Sequence, residues 1–159
     1  MGTCRFCRDG ELKQQLLVEG KWVSSFLDIQ PASPGHFFII PIRHVETTFA
    51  LSPKEWNEIH VVLKKSIAKI RRINLEKKYA HWNRTIDLGK SKQFTATALT
   101  HFGLKKKPDA YTIGINEGEA AGRMVPHVHM HVIPRFWKDI PDPEGGIRRA
   151  LSNPNQYGK

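Results

Sequence analysis

Three histidines alternate with apolar residues in the run PHVHMHVIPR: His127, His129 and His131. In an extended chain alternate side chains share a face, about 7 Å apart, so the three imidazoles line up while Val128, Met130 and Val132 turn toward a core. Adjacent imidazoles do little for stability, so the pattern points to chemistry. A neutral imidazole nitrogen is a competent nucleophile near pH 7 once a hydrogen bond on the other nitrogen fixes the tautomer. A neighbouring histidine can assist a leaving group or stabilise an anionic transition state. Metal ligation is the alternative, although side chains on one flat face do not converge readily on a single ion. A second chemical signal is Cys4 and Cys7, spaced C-x-x-C. In a reducing compartment that spacing suggests a metal site or a redox pair.

Several elements must hold these residues in place. EGKWVSSFLDIQPASPGHFFIIPIRHVET reads as two strands, Trp22 to Ile29 and His36 to Ile42, separated by the turn PASPG. The apolar run FFIIPI predicts a central strand covered on both faces and ended by Pro41. LSPKEWNEIHVVLKKSIAKIRRINLEKK predicts one long helix, with Ser52 as cap, Pro53 in the first turn and Glu55 completing a capping box. Leu51 and Trp56 occupy the staple positions, and Trp56, Ile59, Leu63, Ile67 and Ile70 form the inward stripe. From 79 to 107 no period is sustained beyond a short helix in QFTATALTHFG, so this stretch reads as an insertion. AYTIGIN predicts a strand, and EGEAAGRMVP a glycine-containing connection into the histidine strand.

The 159 residues suit one domain with a real core, and 40% hydrophobic with 25% charged residues is ordinary for a globular chain. No apolar run approaches the length of a membrane span. The start, MGTCRFCRDG, lacks the apolar stretch of a signal peptide, and Phe6 stands where a myristoylation motif needs Ser or Thr. The expected location is therefore the cytoplasm, with no membrane partner. A net charge of +10 favours anionic partners, nucleotides or nucleic acid among them.

HVHMHVI fits the pattern His-φ-His-φ-His-φ-φ, where φ is apolar, and so resembles the histidine-triad (HIT) family. FLDIQPASPGHFFIIPIRH, the capped helix, IGINEGEAAG and IPDPEGGIRR extend the likeness to bacterial-type HIT hydrolases. The resemblance implies an α+β fold, an antiparallel sheet of about five strands with a long helix packed on it. The chain reads as a single domain over 1–159, with an insertion at about 79–107 that the likeness does not cover and a loop-rich tail at about 137–159, and the resemblance implies a homodimer. The implied activity is hydrolysis of a nucleoside phosphoanhydride or phosphoramidate, dinucleoside polyphosphates foremost, through a nucleotidyl-histidine. Transfer of the nucleotidyl group to phosphate is an alternative, as is a basic nucleic-acid-binding protein acting on adenylated ends.

Residue by residue, the resemblance makes His129 the nucleophile and His131 the contact to the α-phosphate and leaving group. His36 falls near that site, Asp28 on the ribose hydroxyls and Asn116 near the phosphate. Gly122 and its neighbours would offer backbone N–H groups to phosphate oxygens. One subset of the family binds zinc through two cysteines and two histidines, matching Cys4, Cys7, His44 and His127. Such a closed Cys2His2 shell is structural, and it requires only one triad histidine to reach the metal. No organic cofactor is implied. The chain departs from the family just before the triad, where Gln followed by Ser or Thr is common. Here Arg123 and Met124 stand at those positions, and an inward Arg123 would favour polyphosphate leaving groups.

Overall fold

The computed structural model describes residues 4–7, 12–85 and 89–143, so the part of the expected tail beyond 143 lies outside the described residues. Five strands form one antiparallel sheet: β1 (Leu16–Val18), β2 (Val23–Leu27), β3 (Phe37–Pro41), β4 (Ala110–Ile115) and β5 (Met130–Arg135). Their spatial order is β1-β2-β3-β5-β4. Among the described residues three α-helices accompany the sheet: α1 (Pro53–Ile70), α2 (Leu75–Thr85) and α3 (Gly89–Thr100). None is long and apolar enough to cross a membrane. The α+β architecture and the five-stranded sheet are as expected. The three-residue β1 is an addition, too short to leave an alternating pattern.

The sheet has two chemically different faces. Val23, Leu27, Phe37, Ile39 and Val132 pack with Ile59, Val62 and Ile70 of α1 and with Tyr79 and Trp82 of α2 in the main core. The opposite face carries Phe26, Phe38 and Ile40, covered by Leu12 and Phe6. All five residues of β3 are consequently buried, and Pro41 ends the strand as the sequence predicts. Register places His131 beside Phe38 on one side and Gly114 on the other, on the face away from α1.

Helix α1 starts as expected. Ser52 accepts from the Glu55 N–H, and the Glu55 carboxylate accepts from the Ser52 N–H, closing the capping box. The Arg43 guanidinium also forks onto Glu55, at 2.8 and 2.9 Å, and holds its carboxyl down to about 2. The inward stripe differs from the expected one. Glu55, Ile59, Val62, Ser66 and Ile70 are buried, whereas Trp56 is 43% exposed. Ser66 belongs there because its hydroxyl meets that of Ser25 at 2.6 Å and donates to the Val62 carbonyl.

The single long helix expected through Lys78 is two helices. The chain breaks after Ile70, and Asn74 starts α2 by accepting from the Lys77 N–H at 2.8 Å. Residues 79–107, expected to be largely aperiodic, are mainly helical. Leu75, Tyr79 and Trp82 of α2, spaced i, i+4, i+7, are buried. On α3 the buried residues are Ser91, Thr95 and Ala98 at the same spacing, a stripe too polar to register as apolar periodicity.

Candidate functional site

The histidine segment is not one regular strand. β5 begins at Met130, so His127 and His129 precede it, in a stretch held by the Val128 N–H donating to Val45 O at 2.7 Å. Val128 and Val132 are buried as expected, and Met130 packs against the core from a half-buried position. Departure from strand geometry lets His127 and His129 separate. The rings of His129 and His131 lie 4.8 Å apart, while His127 turns to the cysteines.

His129 is buried, and its Nδ1–H donates to the His127 carbonyl at 2.7 Å. That bond leaves Nε2 as the unprotonated nitrogen. Burial lowers the pKa of His129, opposed by the His127 carbonyl and Asp28 and reinforced by the charge of Arg123. His131 Nδ1 lies 3.0 Å from His36 Nε2. His36 Nδ1 accepts the Ala32 N–H at 3.2 Å, so the His36 proton sits on Nε2 and donates to His131. His131 therefore carries its own proton on Nε2. Burial holds both rings neutral, with pKa values pushed down to about 4.

Asp28 follows β2 directly, and its Oδ1 accepts from the Gln30 N–H at 2.8 Å. Oδ2 lies 3.3 Å from His36 Nδ1, the nitrogen that accepts the Ala32 N–H. Burial raises the Asp28 pKa, against the pull of Gln30, His131 and Arg5. The β2–β3 loop that carries Asp28 and His36 is anchored from α2, where Tyr79 Oη accepts the Gly35 N–H at 2.8 Å. Gly35 has φ +86°, and a Cβ there would meet Ile70 at 3.0 Å, so both backbone and space require glycine.

A pocket brings together Asp28, Asn116, Gly122, Met124, His129 and His131. Arg5, Phe6, Leu12, Gln15, Gln30 and Phe38 line it too, residues that sequence reasoning missed. Phe6 left a signal, an aromatic residue inside the C-x-x-C. His36 backs the pocket through His131. The N–H groups of Gly122 and Arg123 donate to Glu119 O and Gly118 O around the short turn Glu119–Ala121. Arg123 is not among the lining residues, and its guanidinium reaches the Glu46 carbonyl, while Met124 is 90% exposed at the rim.

Cys4, Cys7, His44 and His127 converge, with their ligand atoms all within 4.8 Å of one another. Cys7 Sγ is 3.2 Å from His44 Nδ1 and 3.4 Å from His127 Nδ1, and Cys4 Sγ is 3.6 Å from His127 Nδ1. A tetrahedral zinc with ordinary bond lengths has S···N edges of about 3.5 Å, so the donor set fits that ion. His127 Nε2–H donates to Pro41 O at 3.0 Å, which fixes the tautomer and frees Nδ1 as a ligand.

Residues 9–138 match the model of the HIT domain. An uncharacterized HIT-like protein of Methanocaldococcus jannaschii is 26% identical over 138 residues, covering 86% of this chain and 81% of that protein. The asymmetrical bis(5'-nucleosyl)-tetraphosphatase of Schizosaccharomyces pombe is 29% identical over 126 residues, 79% of this chain but only 52% of that longer protein. Among solved structures, a HIT family protein from Bacillus anthracis superposes with TM-score 0.57 at 27% identity, covering 85% of this chain and 74% of that one.

Proposed function

The chain belongs to the HIT domain family, and from that premise we propose that it hydrolyses a nucleoside phosphoanhydride, with dinucleoside polyphosphates as the substrate class. The observation that carries the reading is the His129 tautomer. Its Nδ1–H is held on the His127 carbonyl, so Nε2 keeps a lone pair, and His129 lines a pocket together with Asp28, Asn116 and His131. Nε2 attacks the α-phosphorus, the P–O bond to the distal phosphate chain breaks, and a nucleotidyl-His129 forms. Water then attacks the same phosphorus, the P–N bond breaks with its electron pair returning to Nε2, and a nucleoside monophosphate leaves.

The leaving group is the more specific part of the proposal. His131 carries its proton on Nε2 but is neutral, with its pKa down at about 4. A neutral imidazole can donate a hydrogen bond to a departing phosphate oxygen, yet it cannot readily give up the proton an amine leaving group needs. This favours phosphoanhydrides over phosphoramidates. Asp28 accepts from the ribose hydroxyls, and Asn116 steadies the phosphate chain. The tetraphosphatase activity named for the Schizosaccharomyces pombe relative supports the substrate class.

Cys4, Cys7, His44 and His127 would hold a structural zinc, which supplies charge and rigidity rather than bond-making at phosphorus. The chemistry is tested by stereochemistry. Two in-line displacements on a dinucleoside polyphosphate carrying a chiral α-phosphorothioate give net retention at phosphorus, and inversion would exclude the covalent route.

A further inference from the structure

The metal centre and the pocket share a piece of chain. Cys4 and Cys7 bracket Arg5 and Phe6, and the turn closes with the Cys7 N–H donating to Cys4 O at 3.0 Å. An ion bound by both thiolates would fix this turn against His44 and His127. In that position the Phe6 ring stacks on Phe38, with centroids 5.3 Å apart and planes 25° apart. It also lies edge-on to His129 at 5.3 Å and to His127 at 6.0 Å. Arg5, Phe6 and Phe38 all line the pocket. A second connection runs through His127, whose side chain faces the cysteines while its backbone carbonyl accepts the His129 Nδ1–H.

We infer that the metal centre controls nucleotide affinity, because the Cys4–Cys7 turn that it fixes seats Arg5 and Phe6 as one wall of the nucleotide pocket. The inference rests on the reading that the pocket takes a nucleotide and the Cys2His2 set takes zinc. Its physical basis is preorganisation. Without the ion, the contacts that attach the turn among the described residues are the Phe6 ring and thiol–imidazole pairs, and a nucleotide must order it before using it. With the ion, that ordering is already complete. Linkage makes the effect reciprocal: bound nucleotide must strengthen zinc binding by the factor by which zinc strengthens nucleotide binding. Phe6 is the positioning residue in this account, and Arg5 adds positive charge near Asp28.

The test is AMP affinity by titration calorimetry on zinc-loaded, chelated and zinc-restored protein, with metal content and circular dichroism measured on each sample. Chelation should weaken AMP binding about tenfold, zinc should restore it, and saturating AMP should raise zinc affinity by the same factor in chelator competition. Phe6→Ala should keep its zinc, bind AMP weakly, and lose most of the zinc dependence, with Phe6→Leu between the two. Equal AMP affinity in folded zinc-loaded and zinc-free protein overturns the inference and leaves the nucleotide reading intact. Full zinc dependence in Phe6→Ala overturns it too. If chelation unfolds the wild type, the zinc-loaded proteins decide, and unchanged AMP affinity in both Phe6→Ala and Arg5→Ala overturns it. Zinc-loaded protein that binds no AMP refutes the pocket reading instead, and protein that takes up no stoichiometric zinc refutes the metal reading.

Discussion

At the scale of the residue, the account depends on where protons sit. His129→Ala should abolish turnover of a dinucleoside tetraphosphate while AMP still binds, since the nucleophile contributes mainly to the transition state. Steady-state kinetics beside calorimetry separates the two, and substantial residual turnover refutes the assignment. His36 gives a prediction on stability. Its pKa is about 4 in the folded protein against an ordinary 6.5, so between those values the unfolded chain binds more protons. Its neutral form is favoured equally in both states above pH 7, and stability is lost as pH falls from about 6.5 toward 4. The loss should be on the order of 2–3 kcal/mol by pH 4. Urea unfolding across that range should show a shallower decline for His36→Asn than for wild type, and identical slopes contradict the buried neutral His36. The triad was legible in the sequence as three alternating histidines, whereas Asp28 and the four metal-ligating candidates came from the family resemblance, and the structure brings those four together. The tautomers were not legible, because they depend on carbonyls and amides, His127 O and Ala32 N–H, that every sequence contains.

At the scale of the element, α2 and α3 buttress the site. Tyr79 holds Gly35 from α2, and Ser91 of α3 accepts from Gln30 Nε2 at 3.1 Å, so both helices grip the loop that carries Asp28 and His36. Tyr79→Phe should cost about 1–2 kcal/mol, because it leaves the buried Gly35 N–H without its acceptor. It should also raise KM more than it lowers kcat, because the loosened loop carries Asp28, the proposed ribose contact, rather than His129, the proposed nucleophile. Denaturant midpoints and Michaelis parameters check both, and a wild-type KM refutes the buttress. The sequence made α1 and the paired strands legible through a capping box and a continuous apolar run. It hid α2 and α3 because their inward residues include Ser91, Thr95 and Ala98, whose burial is decided by their partners rather than by hydrophobicity. The histidine run misled differently. Alternation predicts a strand from Pro126, but His127 turns to the cysteines and regular pairing begins only at Met130.

At the scale of the whole molecule, the N-terminal turn is tied to both ends of the site. Replacing Cys4 and Cys7 together by Ser should remove stoichiometric zinc and lower the melting temperature, because an ion held by the proposed set would join that turn to segments 37 and 120 residues away from Cys7. Metal analysis with thermal unfolding tests this, and an unchanged melting temperature in zinc-loaded wild type and double variant contradicts a structural role. The inward burial of Val128 and Val132 was foreseen from residue alternation. The pocket wall contributed by Arg5, Phe6 and Leu12 was not, since nothing local connects the N-terminus to a strand more than a hundred residues later. The central claim is that the nucleotidyl group passes through His129. Turnover of a dinucleoside polyphosphate, quenched within a single cycle and followed by mass analysis of the peptide carrying residues 127–131, tests it most directly. The account predicts a nucleoside monophosphate adduct on His129 that is absent from His129→Ala. Full turnover with no adduct on any histidine, or an adduct on His131 instead, would contradict it.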